Sequence, residues 1–248
     1  MESIAGEREE ASAAAALAGT TCASADGAAS TSAVPVAKKG ASTPEKMFDW
    51  KAVFGLSELR GALEAQRKAL QGFARERARP SWVPDDWARF VATRLRSLER
   101  GEENDAAKTC ELVLLRHLLL FHSLPMRGSV APVQLGREKQ VPVLVLNRLL
   151  EDFSESRKGP SKGISGPTQQ YSRPKALRDK LVAHVVLLAL KVDGFNLDLD
   201  ELAQALDYEP KQLIVYAKEL GCNITMHKIP GGSAKAKGYK AHLKPAKL

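Results

Sequence analysis

The chain has 248 residues, 44% of them hydrophobic, which is room for one or two modest domains with a real core. No stretch approaches the roughly 18 uninterrupted apolar residues of a membrane helix, and no basic segment with an apolar run behind it opens the chain, so neither a membrane span nor a secretory leader is expected. Cys22, Cys110 and Cys222 are odd in number and far apart, which fits neither a disulfide framework nor a zinc knuckle and points to a reducing compartment.

Charge is unevenly spread. The formal total is +8, but residues 1–46 hold four basic and six acidic side chains, so the remainder carries +10. A folded region that basic attracts polyanions, nucleic acid first among them, although surface charge kept for solubility is the plainer reading.

In chain order, residues 1–45 are rich in Ala, Ser, Thr and Gly and are expected to form a disordered tail, because they offer too little apolar surface to offset ordering. Order is expected from "MFDWKAVFGLSEL", where Phe48, Trp50, Val53, Phe54 and Leu56 anchor the chain to a body. The segment "SELRGALEAQRKALQGFARERARP" has a helical pattern stopped by Pro80. "PDDWARFVATRLRSLER" follows with Asp85 as a cap and Trp87, Phe90, Val91, Leu95 and Leu98 on one face. "NDAAKTCELVLLRHLLLFHSLP" opens on Asn104 and is apolar nearly all round, the mark of a central buried helix. After a loop from Pro125 to Gly136, long enough for a small wing, "VPVLVLNRLLEDF" reads as an amphipathic helix with Leu146, Leu149, Leu150 and Phe153 inward. Residues 46–153 thus make a linker and a first, mostly helical domain. Residues 154–174, with Gly, Pro, Ser and basic side chains and no periodicity, read as a basic linker.

The second domain spans residues 175–243. Leu177 to Val192 is apolar on most faces. Asp198 then opens a capping-box pattern with Glu201, and Leu199, Leu202, Ala203 and Leu206 follow at helical spacing. "DYE" is a tight connection, Pro210 suits the first turn of the next helix, and Leu213, Ile214, Ala217 and Leu220 face inward before Gly221 stops it. A helix, a short turn and a helix make a helix-turn-helix. "CNITMHKI" alternates like a strand and "YKAHL" can pair back on it. The fold class is therefore mainly α with small β-hairpin wings, a tandem winged helix if the first domain is built alike. No short-period repeat is visible. Residues 244–248 form a short basic tail.

The candidate nucleic-acid contacts follow from that arrangement. Lys228, Lys235, Lys237 and Lys240 fall on the wing, with Lys244 and Lys247 just beyond, and no acidic residue lies among them. Lys211 and Lys218 share an outward face of the third helix with Val215. Lys175 and Arg178, together with the linker residues Arg157, Lys158, Lys162 and Arg173, extend the basic track. Such side chains bind phosphate with steep salt dependence, and no arginine on the third helix is available to read guanine, so little base selectivity is expected. A winged helix used only to dock protein is the alternative.

No catalytic constellation, cofactor motif or metal set emerges, and no enzyme activity is expected. His117 and His122 are five apart on an apolar helix, poor spacing for a shared metal, and His184 reads as a packing residue. His227, His242 and Cys222 make only a weak zinc pattern. Asp193, Asp198 and Asp200 alternate without the loop a calcium site needs, and "GPSKGISG" does not fit a phosphate-cradling loop.

The stretch "LRDKLVAHVVLLALKVDGFNLDLDELAQALDYEPKQLIVYAKELGCNI" closely resembles the second winged helix of the forty-nine-kilodalton subunit of RNA polymerase I, called a polymerase-associated factor in animals. "MFDWKAVFGLSEL", "LRHLLLFHSLP" and "VPVLVLNRLLEDF" are similar to the lead-in and first winged helix of that family. The resemblance covers residues 46–230 and is strongest over 177–224. It implies a tandem winged-helix module similar to that of the general initiation factor TFIIE, which binds double-stranded DNA near the polymerase cleft. It also implies polymerase I core subunits and an initiation factor as partners, and a role in initiation and elongation on ribosomal genes in the nucleus and nucleolus. The family's β-rich dimerisation domain has no counterpart in residues 1–45, so its usual dimerisation partner is not expected.

Overall fold

The computed structural model describes residues 34–38, 40–76, 89–97, 105–161, 167–228 and 237–244. All of these belong to one compact unit, Ser32–Leu248. Asp85 and Asn104, expected as helix caps, and Lys162, Lys235 and Lys247, expected as phosphate contacts, lie outside the described residues, as do residues 1–33 of the expected tail.

The chain enters as a strap. A single 3-10 turn at Pro44–Lys46 leads to Met47 and Phe48, both buried, and then to α1 (Trp50–Phe54). The Asp49 side chain accepts from the Ala52 N–H at 3.2 Å, and Gly55, at φ +56, turns the backbone into α2 (Leu56–Glu76). Only glycine adopts that left-handed conformation freely. Leu59 and Leu63 of α2 and Phe90 and Val91 of α3 (Arg89–Ser97) are buried. They lie against α4 (Asp105–Ser123), which buries Leu112, Val113, Leu114, Leu115, Leu118 and Phe121. The all-round apolar sequence of α4 is thus explained by a place in the middle.

From α4 onward the same order of elements occurs twice. The first pass is α4, β1 (Arg127–Val130), α5 (Pro132–Lys139), α6 (Val143–Phe153), β2 (Glu155–Ser161) and β3 (Pro167–Ser172). The second is α7 (Lys175–Val192), β4 (Asn196–Asp198), α8 (Leu199–Leu206), α9 (Pro210–Glu219), β5 (Cys222–Lys228) and β6 (Lys237–Leu243). Each closes on an antiparallel sheet with the last strand in the centre, β1-β3-β2 and β4-β6-β5. The molecule is mainly α with small β-hairpins, as the sequence indicates. Leu181 to Leu190 of α7 are buried without interruption, and α7 packs on α4, so one apolar cluster runs through both halves.

Two expectations give way. Residues 34–38 and 40–45, expected within the disordered tail, are ordered, with Val34, Ala37 and Ala41 packed against the core. Where described, residues 154–174 form the hairpin β2–β3 rather than an aperiodic linker, with Arg157 opposite Gln170 and Lys158 opposite Gln169. Gly159 and Pro160 fall at an irregularity between Lys158 and Ser161, and the glycines and prolines of this sequence mask the strand pattern. Tyr171 fastens this sheet to the body, buried and donating its hydroxyl to the Pro125 carbonyl at 3.0 Å. The Pro125–Gly136 loop is likewise an edge strand and a helix. A Cβ at Gly136 would stand 2.8 Å from the Val141 carbonyl oxygen, so the tight α5–α6 corner requires glycine there.

Candidate nucleic-acid interface

Helix α9 is built to present one face. The Glu209 N–H donates to the Gln212 side chain at 3.1 Å, Pro210 occupies the first turn, and Gly221 at φ +87 ends the helix. Leu213 and Ala217 are fully buried, and Tyr216 is anchored by donating its hydroxyl to Asp179 on α7 at 2.8 Å. Burial, then that carboxylate, pushes the Tyr216 phenol well above its usual range, so it remains a neutral donor. With those positions spent on packing, Lys211, Val215 and Lys218 are left on the solvent face, all three exposed.

The hairpin β5–β6 carries the second group. Register puts Cys222 opposite Leu243, Ile224 opposite Ala241, Met226 opposite Tyr239 and Lys228 opposite Lys237. These pairs share one face, since side chains alternate along a strand. The face is core-directed at the base and emerges into solvent at the far end, where Met226 is 65% exposed and both lysines are exposed. Two like charges directly opposite each other weaken a hairpin. Lys240, three residues from Lys237, falls on the other face, opposite Thr225 and flanked by Asp198 of β4. The expected lysines of this hairpin therefore do not form a single row. Among the described residues, no ion pair involves Lys175, Lys211, Lys218, Lys228, Lys237 or Lys240.

The far end of the described hairpin, next to the Lys228–Lys237 pair, is held by a polar clasp that sequence reasoning misses. Asp198 caps α8, its Oδ1 accepting from the N–H groups of Asp200 and Glu201 at 3.0 and 3.4 Å. Asp200 Oδ2 accepts from the Tyr239 N–H at 2.7 Å, and His227 Nε2 stands 3.6 Å from Asp198 Oδ2. A Cβ on Gly238 would come within 2.6 Å of both Asp200 and His227. The donor atoms of Asp198, Asp200 and His227 lie within 4.8 Å of one another, so among the described residues these three are the group able to approach a cation. Two of their oxygens, however, already accept backbone hydrogen bonds. The alternation of Asp198 and Asp200 is the sequence signal for this clasp, and it marks a helix cap joined to a strand. His242 bonds Thr225 at 3.0 Å and does not face His227.

The remaining basic candidates divide. Lys175 is exposed at the start of α7. Arg178, half-buried, donates to the Tyr208 hydroxyl at 2.8 Å beside a cleft of about 580 Å³ that His122, Met126 and Gln212 also line. Arg173 is corrected outright: it is 4% exposed, and its guanidinium donates to the carbonyls of Phe121 at 2.8 Å, of Pro125 at 3.1 Å and of Leu124. It caps the chain where it leaves α4 instead of facing a ligand, because the carbonyls at and just past a helix end lack the partner one turn on that interior ones have.

The other histidines are packing residues. Burial pushes His184 down to about 4 and His122 down to about 4, while burial and then Arg116 push His117 down to about 3. His184 bonds the Lys180 carbonyl at 2.7 Å, and His117 bonds Gln66 at 2.7 Å.

No curated protein matches the chain. A family model does, over its whole length. With residues 1–248 matched, the chain belongs to the A49-like RNA polymerase I associated factor family.

Proposed function

We propose that this chain is a non-catalytic, DNA-binding accessory subunit of RNA polymerase I. In this reading each repeat is a winged helix, the first within residues 46–174 and the second within 175–243, and the second grips duplex DNA through its backbone phosphates. The carrying observation is the opposed pair Lys228 and Lys237 at the end of the hairpin, without an ion-pair partner among the described residues, together with the exposed Lys211 and Lys218 of α9. A hairpin that tolerates like charges face to face gains from a polyanion that neutralises them. Wing and helix lysines hold the backbone, Lys175 and Arg178 extend the contact, and the protein supports initiation and elongation on ribosomal RNA genes in the nucleolus.

Duplex binding measured across a salt series tests this. Replacing Lys235, Lys237 and Lys240 by Gln is expected to weaken binding alike for unrelated sequences. It should also flatten the salt slope by roughly 0.9 for each phosphate the protein no longer neutralises. A weakening confined to one sequence, or binding indifferent to salt, contradicts it.

A second reading, protein docking, is favoured at one place. On α6, the counterpart of α9, Val143 and Leu144 are exposed, Leu144 by 54%. The one cation of that helix, Arg148, is held by Asp152 at 2.7 Å and Glu58 at 3.3 Å. Leu144→Asp is expected to reduce co-purification with RNA polymerase I and to leave duplex affinity unchanged.

A further inference from the structure

The strap that precedes α1 carries a motif the nucleic-acid reading does not use. In "STPEK", Thr43 is the one serine or threonine of the 248-residue chain that is followed by proline, and Lys46 stands three residues beyond it. Thr43 and Lys46 are both exposed, and Thr43 is extended, at φ −135 and ψ 153, with its hydroxyl making no capping bond. An extended backbone before proline is the conformation the proline ring imposes.

We propose that Thr43 is a phosphorylation site for a proline-directed serine/threonine kinase. Such an enzyme reads its substrate in extended form. Its acceptor hydroxyl is followed by a ring that has no N–H and a fixed φ, and a cation at the third position meets acidic side chains. The strap supplies each of these at low conformational cost. The 3-10 turn Pro44–Lys46 buries no residue, and its backbone bonds are Lys46 N–H to the Thr43 carbonyl at 3.1 Å and Met47 N–H to the Pro44 carbonyl at 3.2 Å. Releasing such a short, solvent-facing turn is a local opening.

What lies on either side stays fixed. Met47 and Phe48 are buried, and the Lys38 N–H donates to the Met47 carbonyl at 2.6 Å. The motif therefore lies between two anchored ends, and the bond that ties its turn to α1 is the Trp50 indole N–H donating to the Glu45 carbonyl at 2.6 Å, which must open for a kinase to read the segment. In the reaction the Thr43 hydroxyl oxygen bonds to the γ-phosphorus of ATP, the bond to the β-phosphate oxygen breaks, ADP leaves, and the hydroxyl proton passes to the base of the kinase. The product adds close to two negative charges to a strap whose Met47 lies 4.0 Å from a Cβ position on Gly221, the residue that ends α9. The basic half would thus carry a removable countercharge. The proposal does not depend on DNA binding.

The test incubates the full chain with ATP and a purified proline-directed kinase and follows uptake by intact-mass and peptide-mapping mass spectrometry. One phosphoryl group on Thr43 is expected. Thr43→Val should abolish it, and Pro44→Ala should slow it roughly tenfold, about 1.4 kcal/mol of recognition. Lys46→Glu should slow it by a smaller factor. These positions are outside the core, so unchanged circular dichroism verifies that each variant is folded. No uptake by the folded wild-type chain, or uptake that persists in Thr43→Val, overturns the assignment.

Discussion

The repeat from α4 to β3 and the repeat from α7 to β6 pass through the same six elements in the same strand order, yet helices α6 and α9 meet solvent with different chemistry. On α6 the outward positions are Leu144, the acidic Glu151, and Arg148 held between Asp152 and Glu58, so no cation on it is left without a carboxylate. On α9 they are Lys211, Val215 and Lys218, with Gln212 and Glu219 exposed beside them, and neither lysine has an ion-pair partner among the described residues. Inward residues such as Leu149, Leu150 and Phe153 on α6, or Leu213 and Ala217 on α9, set the scaffold. The outward ones are free to vary, so two repeats with the same order of elements present different chemistry to solvent.

The two halves are parts of one folded body, and the largest expected effect tests that. Arg94 of α3 grips Asp193, at the end of α7, through two guanidinium nitrogens, and reaches Glu201 of α8 at 3.0 Å. Burial keeps the Asp193 carboxyl above its usual range even with Arg94 against it. Arg94→Ala strands that carboxyl and is expected to cost about 3–5 kcal/mol in urea unfolding. Asp193→Asn should recover part of the deficit when combined with it. Two separate unfolding transitions in the wild type would break the comparison.

Acid should act next most strongly, through the same interior. His184, between Phe54 and Phe153, is pushed down to about 4 by burial. Its pKa in the unfolded chain is near 6.5, so between these values the unfolded chain binds more protons. Stability is therefore complete above about pH 6.5 and falls as pH drops toward 4, by up to about 3 kcal/mol from this residue. His184→Phe should flatten that part of the stability-versus-pH curve, and an unchanged slope would remove His184 as the cause.

A smaller effect sharpens what differs in the second repeat. Gly238→Ala pushes a methyl group against Asp200 and His227, and is expected to destabilise by about 1–3 kcal/mol in thermal melts. Asp200→Ala should relieve much of the clash when combined with it. Loss of the Tyr239 amide's protection from hydrogen exchange would locate the damage at the clasp.

Much of this architecture is legible before coordinates. Long one-faced or all-round apolar runs mark α4, α6, α7, α8 and α9 because burial leaves a period, and Asp198, Pro210 and Gly221 bound their helices as caps and breakers should. The hairpin β2–β3 is hidden because its sequence is polar and interrupted by glycine and proline, with Tyr171 its one aromatic anchor. Arg173 looks like a phosphate contact because sequence shows charge but not which carbonyls a helix end leaves open. The lysines of the second hairpin are visible individually. Their division between two faces depends on register, and register is set by a pairing partner distant in sequence.

The smallest expected effect is the one that most directly separates the two repeats. Lys228 and Lys237 oppose each other with no carboxylate partner among the described residues, so Lys237→Gln should raise thermal stability at low salt by about a few tenths of a kcal/mol. High salt should erase that gain by screening the repulsion. The same substitution should lower duplex affinity, so stability and binding move in opposite directions. Arg148→Gln on α6 gives the contrast: removing the partner of Asp152 and Glu58 should lower stability slightly and leave duplex affinity alone. If Lys237→Gln weakened the fold as Arg148→Gln does, the lysine pair would be an ordinary part of the scaffold, and the chemical distinction between the two repeats would fail at the hairpin.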